Sequence, residues 1–415
     1  MSGARGAPRE ESAVASHATA AVWSTLLMLA ILLAGWWWSG RQVAERADVM
    51  GGTSWPTRSR GTILLRASLR PPDVVPLLGT SELVRQRENR PDEFFATSPT
   101  GFRVVAVGQA GMVLVQHALA VGAMGSILHG RTVGVLVSPG EIVLPDTGGR
   151  QGWFRGNYSR VQAAAVFIGQ ALPDTLTRDI ARRLLAYDGL GSDPVIEALV
   201  RFRAIDGAWG RLGARLLAPA AWLDAAWLAL VDRMEGAMAL RHFTPVKRLT
   251  PSPAVPVNWA ALESAARADY ARQSSSNPFG IGDDWWKQFE KYLTQKQPPD
   301  FDARQATLLR DGPAWGELAL LVRTIQAVGA TPVLVPMPMK GSLLSHAGVR
   351  AETRALYYDR LDSLARAHDV ALMEARDFDL DNLFMHDHAS HPSAVGWLLM
   401  NQALDSLVHH ARVTR

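Results

Sequence analysis

The sequence contains no cysteine. Disulfide bonds, thiolate metal ligands and a cysteine nucleophile are therefore excluded, and the redox compartment cannot be inferred from cysteine usage. Lysine is also scarce, with five residues among the 43 basic ones. Charged residues make up 20% of the 415-residue chain, and the formal net charge is only +4. Because nucleic-acid-binding proteins usually concentrate basic charge on one surface, we expect no nucleic-acid partner.

Charge is missing altogether from one segment, TAAVWSTLLMLAILLAGWWW at residues 19–38. About 20 helical residues cross the hydrocarbon core of a bilayer. The run ends in Trp36, Trp37 and Trp38, and indole rings favour the membrane interface. A cleaved signal peptide is the alternative, but signal peptidase needs small residues where this run has tryptophan. We predict an uncleaved anchor at 19–38 that follows an N-terminal segment at 1–18. Two arginines lie close to the anchor on each side, so the charge balance is a tie, and the expectation of a cytoplasmic N-terminus at 1–18 comes from the family resemblance given below.

The rest of the chain alternates between two patterns. Short apolar runs rich in Val and Leu, bounded by Gly, Pro or charge, occur at 74–79, 102–108, 132–139, 331–338 and 369–375. Such runs, with little polar alternation, indicate strands that are buried on both faces, as in parallel sheets. Helical patterns lie between them at 111–129, 315–328, 350–368 and 392–410. This order predicts an α/β fold with a doubly wound parallel sheet.

We divide the part after the anchor into a linker at 39–72 and an α/β domain at 73–415. The linker is rich in Gly, Arg, Ser and Pro and contains one possible short strand at 62–67. Residues 140–312 interrupt the strand–helix alternation, and we interpret them as an α-helical insertion. This insertion includes a Pro/Ser-rich stretch at 249–259.

Two further apolar stretches, 112–128 and 213–231, contain polar interruptions. Because a charged or polar side chain inside a bilayer is costly, we predict buried or amphipathic helices there rather than membrane spans. The aromatic stretch DDWWKQFEKYL at 283–293 has two interpretations. Its rings would stack on sugars or lie in the membrane interface, but their spacing of three and four favours the core face of a helix.

A candidate nucleophile follows the first predicted strand, in the stretch LLGTSELVRQ. Ligands of open α/β sheets bind at the carboxyl ends of the strands, and Ser81 lies at such an end. Gly79 permits a tight turn, and a helix expected to start near Glu82 would point backbone N–H groups at the site. Alternatively, Ser81 or Thr80 caps that helix. The stretch alone favours the cap, because caps are far more common than nucleophiles.

The base that a serine nucleophile needs is available in FMHDHASHPSAVGW, directly before the last predicted helix. Pro392 biases His391 away from helical dihedral angles and suits the first turn of that helix. The His391 imidazole is then free to face the end of the sheet. Asp387, in the same loop, is a candidate to hold the histidine tautomer as the third member of a triad.

This histidine cluster has two other interpretations. Its three imidazoles and one carboxylate are the ligand types of zinc and other divalent ions. The loop is alternatively polar and solvated, which is the interpretation we favour for His386 and His388. For His391 the position before the last helix favours a functional role. We expect no metal or other cofactor.

GTSEL and DHASHPSAVGW together resemble the DltD family of membrane-anchored proteins of the D-alanylation pathway, which are similar to SGNH-type serine hydrolases. Further stretches match that family in the same order: GQAGM at 108–112, LVSP at 136–139, GNYSRVQ at 156–162, a block that begins at Trp315, and YYDRLDSLA at 357–365. The resemblance covers most of the chain after the anchor. It implies an SGNH-hydrolase-like fold with its catalytic domain on the extracytoplasmic face.

The resemblance implies transfer of D-alanine, or a similar acyl group, to hydroxyls of an envelope polymer such as a teichoic acid. Implied partners are a membrane-bound O-acyltransferase of the DltB type and, indirectly, an acyl carrier protein. Ser81 takes the position of the nucleophile and His391 that of the base. The family has aspartate three residues before this histidine, whereas here His388 stands there and Asp387 lies four residues before it.

The oxyanion donors implied by the resemblance are the Ser81 backbone N–H and Gly111, with Gln109 or Asn157 as side-chain donors. Thr80, which stands where the family usually has serine, would lie beside them. A structural role for the two amides is equally compatible with the sequence. Hydrolysis by an esterase or thioesterase remains an alternative to acyl transfer, as does a non-catalytic adaptor, which the displaced aspartate suggests.

Overall fold

The centre of the molecule is a five-stranded parallel sheet with the strand order β2-β1-β3-β4-β5. The computed structural model describes residues 8–413 except 86, 170, 191–192, 244–252 and 389, and side chains for residues 17–410 of that range. The strands are β1 (Val74–Gly79), β2 (Arg103–Gly108), β3 (Thr132–Val137), β4 (Thr331–Pro336) and β5 (Ala371–Leu372). All five predicted strands of the domain are therefore present, although the last is short.

Successive side chains of the strands enter two separate cores. In β1, Val74 and Leu78 pack on one face of the sheet, and Val75 and Leu77 pack on the other. This alternation follows from the period of two in a strand, and it requires apolar residues at both sets of positions. The near-continuous apolar runs of the sequence thus reflect burial on both faces.

The helices follow in chain order: α1 (Pro8–Arg46), α2 (Pro56–Arg60), α3 (Ile63–Ser68), α4 (Pro91–Thr97), α5 (Leu114–Met124), α6 (Pro139–Ile142), α7 (Gly148–Asn157), α8 (Arg160–Ile168), α9 (Asp174–Leu184), α10 (Pro194–Ala204), α11 (Gly207–Ala239), α12 (Trp259–Gln273), α13 (Asp283–Leu293), α14 (Phe301–Asp311), α15 (Pro313–Ala327), α16 (Gly341–His346), α17 (Ala351–His368) and α18 (Ala394–Val413). α5, α15 and α17 contribute to the core on one face of the sheet, and α4 and α18 contribute to the core on the other. The doubly wound α/β architecture is confirmed.

The insertion between β3 and β4 is helical, as predicted, and α6 to α14 form most of it. A buried ion network joins it to the helices that cover the sheet. The Glu317 carboxylate in α15 accepts from Arg150 of α7 at 2.7 Å and from Arg183 of α9 at 2.6 Å. It also accepts from the Tyr187 hydroxyl at 2.5 Å and from the Val115 backbone N–H at 3.2 Å. Four donors therefore surround one buried carboxylate.

The N-terminal part of the domain differs from the prediction. The expected strand at 62–67 is wrong, because Ile63–Ser68 is helical. The Asp232 carboxylate of α11 accepts from the backbone N–H groups of Thr62 and Ile63, both at 2.9 Å, and so caps α3 from a distant part of the chain. The expected linker at 39–72 also packs on the domain. α1 continues to Arg46, and the side chains of Val43, Met50 and Leu64 are buried against α11.

Some predicted boundaries also shift. α5 begins at Leu114 rather than 111, and it is wholly buried, as expected for the stretch 112–128. Of the Pro/Ser-rich stretch 249–259, residues 249–252 lie outside the described part of the chain, as do residues 1–7 of the expected N-terminal segment. The Asn258 side chain accepts from the Ala261 N–H at 3.1 Å and caps α12.

Candidate active site

The strand order creates a crevice at the carboxyl edge of the sheet. From β1 the chain crosses to β2 on one side, and it then returns to β3 on the other side of β1. In a doubly wound sheet this reversal leaves a ligand-sized crevice at the carboxyl ends of the two strands. Ser81 follows the end of β1 and therefore lies at this switch point.

The turn after β1 is tight. A Cβ on Gly108 would lie 1.7 Å from the Gly79 carbonyl oxygen, so the ends of β1 and β2 approach more closely than a side chain permits. The helix expected near Glu82 is wrong, because only a single 3₁₀ turn, Ser81–Leu83, follows the strand. Thr80 precedes this turn without a side-chain capping bond. Thr80 Oγ1 instead donates to Glu82 Oε2 at 2.6 Å, and the Thr80 N–H donates to Oε1 at 2.6 Å.

Three of the predicted site residues meet at the switch point. His391 Nε2 lies 2.9 Å from Ser81 Oγ, and His391 Nδ1 contacts Asp387 Oδ2. Asp387 and His391 are buried, whereas Ser81 is half-buried. A histidine between a carboxylate and a hydroxyl is the arrangement that general-base activation of serine requires.

The loop that carries His391 explains how an aspartate four residues away reaches the imidazole. The backbone of the loop closes on itself, since the His386 N–H donates to the His391 carbonyl at 2.8 Å. Asp387 Oδ1 accepts from the N–H groups of Ser390 at 3.0 Å and His391 at 3.1 Å. These bonds turn the other carboxylate oxygen toward the ring. Pro392 pairs with Met385 in an isolated β-bridge and does not enter the helix, which begins at Ala394.

The expected solvation of His386 is wrong. Its ring is buried, with Nδ1 3.1 Å from the Tyr270 hydroxyl and Nε2 2.6 Å from Arg87 Nη2. Burial and the nearby Arg87 guanidinium lower the pKa of His386 to about 4. A neutral ring that accepts from Arg87 and donates to Tyr270 fits both contacts. His386 thus fixes one end of the loop that carries Asp387 and His391.

His388 lies beside the aromatic residues of α13. It is half-buried, and its ring centroid is 6.2 Å from those of Trp285 and Tyr292. Trp285 is also a neighbour of His391. Within the part of the chain that the structure describes, no three His, Asp or Glu side chains are grouped to hold a metal ion.

The candidate side-chain oxyanion donors already have partners. Asn157 Nδ2 donates to the carbonyls of Ala110 at 3.0 Å and Trp153 at 3.2 Å. Gln109 Nε2 donates to the Gly108 carbonyl at 2.6 Å and to Ser54 Oγ at 3.2 Å. These contacts favour the structural alternative for both amides.

Gly111 has a backbone reason to be glycine. Its φ is +74°, and a Cβ there would lie 2.8 Å from the Trp153 ring. A role for its N–H in oxyanion binding, like that of the Ser81 N–H, remains a prediction.

Comparison with known proteins identifies the group to which this architecture belongs. The sequence model of the DltD protein family matches residues 55–409. The chain belongs to the DltD family. It is 23% identical over 389 residues to Protein DltD of Bacillus subtilis (strain 168), covering 93% of this chain and 95% of that protein. It is 25% identical over 161 residues to Protein DltD of Staphylococcus aureus (strain NCTC 8325 / PS 47), covering 39% of each. The family places this protein in D-alanylation.

Sequence reasoning missed one acidic residue of this DltD site. Glu82, next to the candidate nucleophile, is buried and holds the Thr80 backbone and hydroxyl. Burial raises the pKa of Glu82, and the bonds from Thr80 oppose that rise. The position of Glu82 directly after Ser81 could have indicated a role at the site. The direction of its side chain, back toward Thr80, depends on the folded turn and could not be predicted.

A second missed feature is the aromatic wall formed by α13. Trp286 is buried in a small core cluster, as the helical spacing predicts, and Trp285 packs partly on the same cluster while its ring also lies beside His391. The Trp285 ring lies 6.4 Å from the His391 ring, and the Arg85 guanidinium stacks on it at 4.7 Å. One helix of the insertion thus contributes both to the core and to the rim of the crevice.

A buried lysine, Lys340, stabilises the loop that carries Asp387 and His391. Lys340 Nζ donates to the carbonyls of Asn382 at 2.6 Å, Met385 at 2.9 Å and Gly280 at 3.3 Å. Burial lowers the pKa of Lys340 to about 7. This side chain joins the loop before His386 to the insertion, so the histidine loop is held from both sides.

Proposed function

We propose that this protein transfers D-alanine, or a similar acyl group, to hydroxyls of a cell-envelope polymer through Ser81. The observation that carries the proposal is the 2.9 Å contact between His391 Nε2 and Ser81 Oγ, with Asp387 on the other ring nitrogen. Family membership supports D-alanine as the acyl group. The apolar part of α1, long enough to cross a bilayer, supports a membrane-anchored protein. The extracytoplasmic position of the domain is proposed on family grounds.

The proposed chemistry proceeds in two steps. Ser81 Oγ bonds to the carbonyl carbon of an acyl ester or thioester donor while its proton moves to His391 Nε2. The bond from that carbon to the donor heteroatom then breaks, and the departing group takes the proton from His391. An acyl ester remains on Ser81. In the second step an acceptor hydroxyl gives its proton to His391, attacks the ester and restores the serine.

Asp387 has a positioning role in this scheme. Its carboxylate accepts from the Nδ1 side of the ring, which leaves the lone pair of Nε2 directed at Ser81. The backbone donors from Ser390 and His391 hold the carboxylate in place. The displaced aspartate was the reason for the adaptor alternative, and its contact with His391 supports the catalytic alternative instead.

The partners are proposed on family grounds. A membrane-bound O-acyltransferase would deliver the acyl group at the membrane surface, supplied from the other side by an acyl carrier protein. Hydrolysis is the competing outcome of the same first step, because water would also resolve the ester on Ser81. The Trp285 ring beside His391 supports transfer, since a large apolar side chain next to the reacting atoms limits the access of water.

The test compares ester-linked D-alanine in the envelope of cells that produce wild type, Ser81→Ala, His391→Ala or Ser275→Ala at equal levels. Ser275 is an exposed serine outside the site and serves as the matched control. Loss of the ester in the first two variants alone supports the proposal. Unchanged ester in Ser81→Ala would exclude Ser81 as the nucleophile.

A second measurement separates transfer, hydrolysis and a purely adaptor role. Full-length protein is labelled with a fluorophosphonate, which reacts with activated serines, and we expect labelling in wild type and Ser275→Ala only. Absence of labelling in every variant would indicate an adaptor. Release of free D-alanine from a model thioester, undiminished by a polyol acceptor, would indicate a hydrolase.

A further inference from the structure

The outward face of α11 is apolar along its whole length. Trp209, Leu216 and Leu223 are 79%, 75% and 76% exposed, which is unusual for side chains of this kind in a folded domain. We use "outer face" for the set that shares this side of the helix: Trp209, Leu212, Leu216, Leu223, Trp227, Met234 and Met238, all exposed. Their spacings are close to multiples of 3.6, so they form one continuous stripe without a charged member.

The opposite side of α11 belongs to the domain. Gly210, Ala221 and Leu228 are buried on that side, and α11 packs against α10 and α8. A helix that contacts its own domain along its length cannot be surrounded by lipid and therefore does not cross the bilayer, although its length and composition alone would allow it. The outer face nevertheless requires an apolar environment.

The position of α11 relative to the anchor indicates what that environment is. The end of α1 packs on the end of α11, where the Arg233 guanidinium stacks on Trp36 at 4.2 Å. Arg241, just beyond α11, stacks on Trp38 at 5.1 Å. These tryptophans end the apolar part of α1, where indole rings favour the membrane interface. One end of the outer face is thus held at the level of the bilayer surface by the protein's own anchor.

The charges beside the outer face are complementary to a membrane. Arg211 and Arg215 are exposed on one flank of the stripe and line a groove of about 530 Å³ between α8, α9, α10 and α11. Arg203 and Asp174 line the same groove, and Arg203 Nη1 lies 3.8 Å from Asp174 Oδ1, while Arg203 Nε is buried without a hydrogen-bond partner among the described residues. An apolar face with Trp and Leu beside an arginine flank is the composition of helices that lie in the lipid headgroup region.

We propose that α11 lies in the plane of the membrane and buries its outer face in the leaflet adjoining the domain. The bilayer that holds α1 is the occupant of this face. The domain is then fixed to the membrane by two contacts, a spanning helix and a surface helix. A hinged domain on a single anchor would sample many orientations, whereas these two contacts hold one side of the domain against the lipid. The proposal does not depend on the acyl-transfer chemistry.

The absence of cysteine allows a direct test on the full-length protein. Single cysteines are introduced by Leu216→Cys and Leu223→Cys in the outer face, Leu27→Cys in the anchor and Ser275→Cys on the exposed polar surface. Each is labelled with a nitroxide and reconstituted in vesicles of phosphatidylcholine and phosphatidylglycerol. Collision rates with oxygen, which concentrates in lipid, and with a water-soluble nickel complex are then measured. Unchanged thermal unfolding midpoints confirm that the variants fold.

The expected result is that the labels at 216 and 223 prefer oxygen, as the label at 27 does, while the label at 275 prefers the nickel complex. Nickel access at 216 and 223 equal to that at 275 would place the outer face in water and overturn the proposal. Protection from both reagents, with spin–spin broadening that grows with protein density, would assign the face to a second copy of the chain. Nickel access in vesicles but protection in native membranes would assign it to a protein partner.

Discussion

Two buried carboxylates, Asp387 and Glu317, have similar surroundings but differ in whether their partners can transfer a proton to an accessible atom. Asp387 accepts from two backbone N–H groups and the His391 ring, and Glu317 accepts from two guanidinium groups, a phenol and one backbone N–H. The histidine beside Asp387 contacts a half-buried serine, so the chain of contacts ends at an open crevice. The arginines beside Glu317 cannot exchange a proton at neutral pH. A buried charge therefore does not mark a functional site unless its partner can move a proton to an accessible atom.

Replacing each carboxylate by its amide distinguishes a role in catalysis from a role in the fold. Asp387→Asn would donate to His391 Nδ1, which places the ring proton on Nε2 and removes the lone pair that Ser81 needs. We expect the rate of fluorophosphonate labelling to fall by about 10³-fold or more, with little change in stability. Glu317→Gln, by contrast, is expected to leave the labelling rate of the folded protein unchanged. Equal effects on labelling would show that both carboxylates act only through the fold.

Truncation of Glu317 to alanine is expected to lower stability rather than the labelling rate. Glu317→Ala removes the buried partner of the Arg150 and Arg183 guanidinium groups, and both then keep only the half-exposed Asp146 carboxylate as an ion-pair partner. Breaking a buried ion pair costs about 3–5 kcal/mol, and because Asp146 still pairs with both arginines, the free energy of unfolding should fall by about 3 kcal/mol. Glu263→Ala, which breaks a half-exposed pair with Arg267, is the control and should cost less than about 1 kcal/mol. Denaturant unfolding of the purified protein measures both, and equal losses would contradict the role of the network.

The stability of the region around Arg150 is expected to depend on pH. Burial raises the pKa of Glu141, whose backbone carbonyl accepts from Arg150, from 4.5 to about 8. Between these values the folded protein holds a proton that the unfolded chain has lost, so stability falls as pH rises from about 4.5 to about 8. Glu141→Gln removes this titration and should gain about 3–4 kcal/mol over wild type at pH 8 relative to pH 5. Parallel pH profiles of the two proteins would contradict a raised pKa.

The smallest expected effect concerns the rim of the crevice. Trp285→Leu removes the ring that faces His391 and stacks with Arg85. Loss of one aromatic contact of about 1 kcal/mol between this half-buried ring and a bound substrate should raise KM for a chromogenic ester several-fold and leave kcat nearly unchanged. Trp286→Leu is the matched control, because that neighbouring tryptophan is buried and should affect stability instead. An unchanged KM in Trp285→Leu would remove α13 from the substrate path.

Much of the fold was predictable because it depends on local patterns. The strand runs that pack on both faces carry apolar residues at most positions, and Leu77 and Leu78 illustrate this by entering opposite cores. The helix at Ile63–Ser68 was not predictable, since its capping group, Asp232, lies about 170 residues away. The same applies to the burial of His386, which depends on Tyr270 of α12 and on Arg87.

The sequence alone was sufficient to predict the long apolar N-terminal helix, the doubly wound sheet and the candidate site residues that follow the strands. These features follow from hydrophobicity and periodicity, which act between neighbours in the chain. Only the tertiary structure decided that His391 faces Ser81, that Asp387 reaches the ring from one residue further away, and that α11 leaves an apolar face uncovered. The physical reason is that hydrogen bonds and packing join atoms by their positions in space, and segments that are hundreds of residues apart contribute to each of these contacts.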